Sequence, residues 1–372
     1  MARPPSPFTS VLAAAGPAGI NGYSVREELS SGSYFRTHLA IRIADNAASS
    51  LKIVKGFDAL SASVKAAALA EVSRWRALAH PNVVSCSEAF QHLDALLLAC
   101  PLAPLGSAPF SPPVLPLPAE AAALAGFQLA SGLAAVHAAG LVHRNVRPAS
   151  LVLFRDGGDF PSAPADAAAL IEGGRVALGD PSGALAAALC PSEGVALAYA
   201  APEVLNDEDA SPAADVWGLG ATLLELATGH VVGEAPPARR LLKRGDAAKW
   251  TLAGSLRGAY AEGDGARAAA QLAAWEALPA PLRALITACL APAARARPTA
   301  AAAAAHEAFS TPRIAAEARE MAHQRATCVY EATLALRAQR PLASEQMLAL
   351  LEAAATSPGL VEDADVSAAC AR

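Results

Sequence analysis

Histidine and cysteine are the usual carriers of metal and nucleophilic chemistry, and in this chain neither is grouped for it. Cys86, Cys100, Cys190, Cys289, Cys328 and Cys370 include no Cys-x-x-Cys pair and no histidine at ligand spacing, which argues against a zinc site or a disulfide framework. His38, His80, His92, His137, His230, His306 and His323 form no metal-spaced cluster, and packing or surface roles account for them. Trp75, Trp217, Trp250 and Trp275 read as core residues rather than a platform for stacked bases. What stands out instead is a series of short polar clusters in a fixed order. His80-Pro81-Asn82-Val83-Val84 comes first, then Val142-His143-Arg144-Asn145-Val146-Arg147-Pro148-Ala149-Ser150-Leu151. Tyr199-Ala200-Ala201-Pro202-Glu203-Val204-Leu205, Asp215-Val216-Trp217-Gly218-Leu219-Gly220 and Arg297-Pro298-Thr299 follow. Any one of these arises by chance; five in this order do not.

The elements that must position them can be read from periodicity. Residues 1–21 are rich in Pro, Ala and Gly and read as a flexible lead-in without the apolar run of a signal peptide. From Tyr23 to about Ala40, apolar runs bracket Ser30-Ser31-Gly32-Ser33, predicting two strands around a turn. Ser49–Val54 is a third strand, and Asn82–Phe90 with Ala95–Cys100 a hairpin. Between them, Val64, Leu69, Val72, Trp75 and Leu78 fall at helical spacing, and His80-Pro81 stops that helix. After the proline-rich stretch Pro101–Pro118, Ala119–Ala139 is apolar on all sides, as a helix in the middle of a large lobe would be. The run Ala121–Val142 is long enough to raise the question of a membrane span, but Gln128 and His137 favour a buried helix. Leu151–Phe154 and Val176–Leu178 are short strands, and helical patterns dominate from Pro202 to residue 310. The tail from Pro312 is helical to about Ala355 and polar beyond. With 372 residues, 17% charged and a net charge of −5, nothing favours nucleic acid or an anionic membrane surface as partner. The expectation is a cytoplasmic protein.

Taken together, the ordered clusters resemble the serine/threonine protein-kinase superfamily over residues 22–310. The resemblance implies an α+β, bilobal protein-kinase-like fold. A small antiparallel β-sheet lobe with one main helix (22–101) would be followed by a larger, mostly helical lobe (102–310), with a helical extension ending in disorder (311–372). ATP and Mg2+ are the implied cofactors.

Functional positions carry over one at a time. Ser49-Ser50-Leu51-Lys52 stands where the family has Val-Ala-Ile-Lys, so Lys52 resembles the lysine that grips the α- and β-phosphates; Lys55, three residues on, alternates to the other face. Glu71, nine residues before His80, matches the helix glutamate that pairs with that lysine, although a solvated helix charge is the plain alternative. The family's glycine loop falls on Ser30, Gly32, Phe35 and Thr37, so only its middle glycine remains, with Leu29 just ahead. Glycines there let backbone N–H groups approach phosphate closely, and Phe35 should crowd the loop. Leu29, Ser30, Gly32, Thr37, Lys52 and Glu71 are thus the implied nucleotide-binding set.

The catalytic aspartate of the family is Asn145 in this chain. An amide cannot take up a proton at neutral pH, and losing a general base costs about 10²–10⁴ in rate, or ~3–5 kcal/mol of barrier. Arg147 replaces the lysine two residues on, and Ser150 replaces the asparagine that holds a second magnesium. The metal-binding aspartate resembles Asp180, which follows Val176–Leu178 directly and implies an insertion at about 156–172. Asp159-Phe160 looks nearer to the literal Asp-Phe-Gly motif but leaves no room for a strand. Ala196 stands at the substrate-loop threonine position, and Arg144 has no obvious phosphate to bind. Glu203 with Arg297, Asp215 and His143 match residues that hold the large lobe together, and all are intact.

Three readings follow. The first is a pseudokinase, a binding, scaffolding or regulatory module for protein partners that still holds ATP. The second is an atypical active enzyme that transfers the γ-phosphoryl group to protein Ser or Thr. In the third, the tail helix does the work and the kinase-like fold is its platform.

Overall fold

The computed structural model describes residues 19–31, 35–54, 56–103, 105–110, 114–154, 167–179, 198–206, 208–232 and 265–337. Its first half is a five-stranded antiparallel sheet in the order β1-β2-β3-β5-β4, built from β1 (Tyr23–Ser31), β2 (Phe35–Arg42), β3 (Ala48–Val54), β4 (Glu88–His92) and β5 (Ala95–Pro101). Side chains alternate across it. Leu51, Ile53, Leu97 and Ala99 close a small core with Ile20, Tyr23 and Ala40 on one face. Val54, Leu96 and Leu98 join the main core on the other, where the helix α1 (Ala62–Ala77) packs. Because β5 is covered on both faces, it reads as an unbroken apolar run from Ala95 to Cys100. α1 starts where the side chain of Ser61 accepts the Val64 N–H, an N-cap, and buries Ala68, Val72 and Trp75 at i, i+4 and i+7. Truncating a buried tryptophan such as Trp75 costs roughly 3–5 kcal/mol.

One strand expectation needs correction. Residues 82–87 do not form the first arm of a hairpin with β5; β4 begins only at Glu88. Asn82–Val84 leaves the sheet and joins the second half of the molecule. The Val84 N–H donates to Leu178 O (2.9 Å), and the Leu178 N–H donates to Asn82 O (2.8 Å). The backbone polar groups of a buried segment must be satisfied somewhere, and here the other lobe satisfies them.

The second half is mainly helical. α2 (Ala119–Ala138) lies at its centre with fourteen buried residues, so the one described helix long and apolar enough to cross a membrane is a core helix. A two-stranded sheet, β6 (Leu151–Phe154) with β7 (Arg175–Leu178), pairs Leu151 with Leu178. Part of the predicted insertion is the short helix α3 (Ala167–Glu172), which buries Leu170 and Ile171. Then follow α4 (Pro202–Leu205), α5 (Pro212–Thr228), α6 (Gly265–Ala277), α7 (Ala280–Cys289), α8 (Ala300–Ala304) and α9 (Pro312–Arg337). Small residues let these helices close on one another. A Cβ at Gly126 of α2 would meet the Leu223 side chain of α5 at 2.3 Å, and one at Gly132 would meet Asn82 O at 2.3 Å. The predicted tail helix is therefore present as α9, and it docks. Ile314 is buried, Ala318 and Met321 pack on the core, and Glu317 accepts a hydrogen bond from Gln128 of α2. The expectation for 338–372 lies outside the described residues.

Candidate active site

The loop between α2 and β6 is held from three sides. Asp215, buried at the start of α5, accepts the backbone N–H groups of His143 and Arg144, each at 2.7 Å. His137 Nε2 lies 2.9 Å from the same carboxylate. These bonds hold Arg144 at φ 66°, a left-handed conformation that non-glycine residues keep only when the surroundings impose it. His143 then spans the loop. Its Nε2 is 2.7 Å from Gly179 O, and its Nδ1 is 3.3 Å from the Asn145 N–H. A carbonyl can only accept and a backbone N–H can only donate, so the imidazole carries its proton on Nε2. Its ring rests against Trp75, with centroids 5.9 Å apart. The whole segment from Asp215 to Asn145 is thus a chain of satisfied donors and acceptors.

At the turn of the loop sits Asn145, half-buried, beside a small concavity that Arg144, Asn145 and Val146 share with Tyr199, Ala200 and Asp215. Ser150 is turned inward: its Oγ donates to Asn145 O at 2.6 Å, and its own carbonyl accepts the Gly179 N–H at 2.7 Å. Ser150 therefore ties the loop's two ends together, while its hydroxyl oxygen keeps acceptor capacity for a cation. Arg147 keeps its Nε buried with no hydrogen-bond partner. Asp180 and the alternative Asp159 lie outside the described residues, as do Gly32, Lys55 and Ala196. Asp180 follows Gly179, which His143 and Ser150 fix against the catalytic loop.

The implied nucleotide-binding positions Leu29, Ser30, Thr37 and Lys52 lie on the sheet, and none of them lines that concavity. Lys52 on β3 pairs across the ladder with Thr37 on β2 and Leu98 on β5, and its ammonium lies 4.5 Å from the centre of the Phe35 ring, a cation–π contact. Phe35 occupies the third glycine position, and the loop it was expected to crowd, residues 32–34, lies outside the described residues. Ser30 pairs with Thr37 at the end of the β1–β2 ladder, and Leu29 is 46% exposed.

The Lys52–Glu71 ion pair is not what forms. Glu71 Oε1 accepts a bond from Arg144 Nη1 at 3.2 Å, and among the described residues no ion pair joins it to Lys52. The cause lies in how α1 is held. Trp75 Nε1 donates to Val84 O (2.9 Å) and Arg74 Nη1 donates to Gly140 O (3.1 Å). Glu71 lies one turn before Trp75 on the same face, so it points at the catalytic loop. Burial raises the Glu71 pKa above the ordinary glutamate value, opposed by the charges of Arg144 and Arg74. Arg144, which had no evident partner in the sequence, has this one.

Further down, Arg297 uses all its donors. Nη1 and Nη2 reach both oxygens of Glu203 at 2.6 and 2.8 Å, and Nε, Nη1 and Nη2 also bond the carbonyls of Ala291, Ala213 and Pro292. Its guanidinium carbon lies 5.1 Å from the Trp217 ring centre. Three contacts were not read from the sequence. Tyr199 donates to Glu225 Oε2 at 2.5 Å, His137 bonds Asp215, and Gln128 Oε1 accepts the Val176 N–H at 2.7 Å. Gln128 and His137 left a trace, as polar residues in an apolar run, although their partners were not read.

Known proteins agree with this architecture. A family model described as a protein kinase domain matches residues 23–309. The serine/threonine-protein kinase PknL of Mycobacterium tuberculosis is 36% identical over 119 residues, covering 31% of this chain and 26% of that protein. CBL-interacting protein kinase 4 of Oryza sativa subsp. japonica is 31% identical over 220 residues, covering 56% and 45%. This chain thus spans less than half the length of either relative. The crystal structure of Rad53 1-466 in complex with AMP-PNP superposes with a TM-score of 0.55 at 18% identity, over 77% of this chain and 65% of that one. At that identity the likeness speaks for the fold alone. With the ordered motifs, the antiparallel sheet, the helical second lobe and a family match over most of its length, this chain belongs to the protein kinase domain family.

Proposed function

We propose that the chain is a nucleotide-binding protein-kinase module in which transfer of the γ-phosphoryl group is slow or absent, and that its work is to bind and regulate protein partners. The observation that carries this reading is Asn145. Asn145 stands in the sequence where the family has its general base, on a loop whose backbone Asp215 and His143 hold, and an amide cannot take the hydroxyl proton. ATP, the nucleotide implied by the family, supplies the phosphoryl group when bound. Lys52 would hold the phosphates, provided Phe35 swings off its ammonium. Leu29, Ser30 and Thr37 would line the roof. For Mg2+ the described residues offer the Ser150 hydroxyl oxygen, and Asp180 is the proposed carboxylate.

Thermal shift with Mg-ATP tests the binding half. A rise in Tm that Lys52→Ala removes is expected, by linkage of binding to stability; no shift with any nucleotide would sink it. Transfer of labelled phosphate to a generic protein substrate tests the other half, with Asn145→Asp expected to raise incorporation. A second reading, an active kinase acting on Ser or Thr, is favoured by the relatives named above and by the fully bonded Asp215 and Glu203–Arg297 anchors. Phosphoryl transfer depends mostly on positioning and electrostatics. Incorporation by the unaltered chain, lost in Lys52→Ala, would establish that reading.

A further inference from the structure

Two thiols sit where the sheet, α1 and the lobe crossing meet. Alternation along β5 places Leu96, Leu98 and Cys100 on the face that packs with Val72 and Trp75 of α1, whereas Leu97 and Ala99 face the small outer core. Cys86 lies in the segment between α1 and β4 and belongs to the same main core. The Ser87 N–H donates to Ala99 O at 2.9 Å, so Cys86 and Cys100 flank a direct backbone bond between this segment and β5. Cys86 Sγ donates to Glu88 O at 3.3 Å. Neither cysteine is in a disulfide, and they are 2% and 7% exposed. The nearness of Cys100, with a lesser contribution from Arg76, lowers the Cys86 pKa against the opposing effect of burial. Cys289 is the contrast: buried without a thiol neighbour among the described residues, its pKa is pushed up to about 12.

We propose that Cys86 and Cys100 are an oxidation site, closing to a disulfide in the presence of a hydroperoxide. The Cys86 thiolate attacks the peroxide, the O–O bond breaks, and Cys86 becomes a sulfenic acid while the leaving oxygen takes a proton as water or an alcohol. The Cys100 thiol gives up its proton, its sulfur attacks the Cys86 sulfur, the S–O bond breaks, and hydroxide departs as water. Two thiols are oxidised by two electrons in all, and one peroxide bond is reduced. The crosslink ties the end of β5 to the segment that follows α1, whose position Arg76 also secures through its bond to Ser87 O at 3.2 Å.

The test uses the full chain treated with hydrogen peroxide at a slight molar excess, quenched, denatured and alkylated. Cleavage after Glu88 separates the two cysteines, so a disulfide appears as two joined peptides that dithiothreitol releases. A Cys86–Cys100 link is expected, formed on the order of tenfold faster than any oxidation of Cys289. Free Cys86 and Cys100 in protein whose other cysteines have oxidised, or a link from either to a third cysteine, overturns the proposal. Cys100→Ala gives a second readout independent of the link: a dimedone-trapped sulfenic acid at Cys86 supports it, and no adduct there refutes it.

Discussion

The two lobes differ in how the polar groups of their motif residues are used. On the large-lobe side, the Asp215 carboxylate serves two backbone N–H groups and His137, and Arg297 bonds one carboxylate and three carbonyls. Each removal there leaves a buried partner unsatisfied. On the sheet side, Ser30, Lys52 and Thr37 belong to neither core, and Phe35 only packs against the main one from outside. Asn145 and Ser150 lie at the boundary, where Ser150 keeps the loop-closing bond although it is a poorer metal ligand. Departures from the family's motif set thus fall mostly at positions that carry little of the fold, and matches at positions that carry much of it.

The hardest blow to this contrast would be an anchor that can be removed freely. Arg297→Ala removes a buried guanidinium from the half-buried Glu203 and from three carbonyls and is expected to cost ~3–5 kcal/mol, read by urea denaturation. Asn145→Asp should leave the denaturation midpoint nearly unchanged while raising phosphoryl transfer by about 10²-fold or more. A large stability change there would place Asn145 among the anchors. Gln128→Leu leaves the Val176 N–H without its acceptor and is expected to cost ~1–3 kcal/mol. Glu71→Gln should be mild, lowering Tm by no more than a few degrees, because the Arg144 pair is partly exposed. The smallest effect concerns Glu317, whose pKa burial raises above the ordinary glutamate value. A raised folded-state pKa favours the protonated form, so its contribution to stability is full below the unfolded value and is lost as pH rises through the folded one. Glu317→Gln keeps the oxygen that Gln128 needs, and should flatten that part of the Tm-against-pH curve without lowering Tm at neutral pH.

The anchors were legible because each is a short local signature. His143, Asp215, Glu203 and Arg297 take their partners from a backbone that the family pattern already specifies. The partner of Glu71 was not legible, since it depends on how far α1 leans toward the catalytic loop, and the bonds of Trp75 and Arg74 to Val84 and Gly140 set that lean. Apolar alternation in 82–87 suggested a strand, and tertiary pairing with Leu178 overrode it. The docking of α9 on Gln128 joins positions 189 residues apart, a distance over which no periodicity reports. The helix itself was visible, but its berth was not.

The pairing of Asn82–Val84 with Leu178 has a mechanical consequence. The chain passes between the lobes at that segment and again after Pro101, so the small lobe is attached by two straps rather than one. A body fastened at two points swings about the line between them, as a door does about its hinges. Closing of the sheet over Asn145 should then follow one arc, with the end of α1 near the axis and the outer strand β1 travelling farthest.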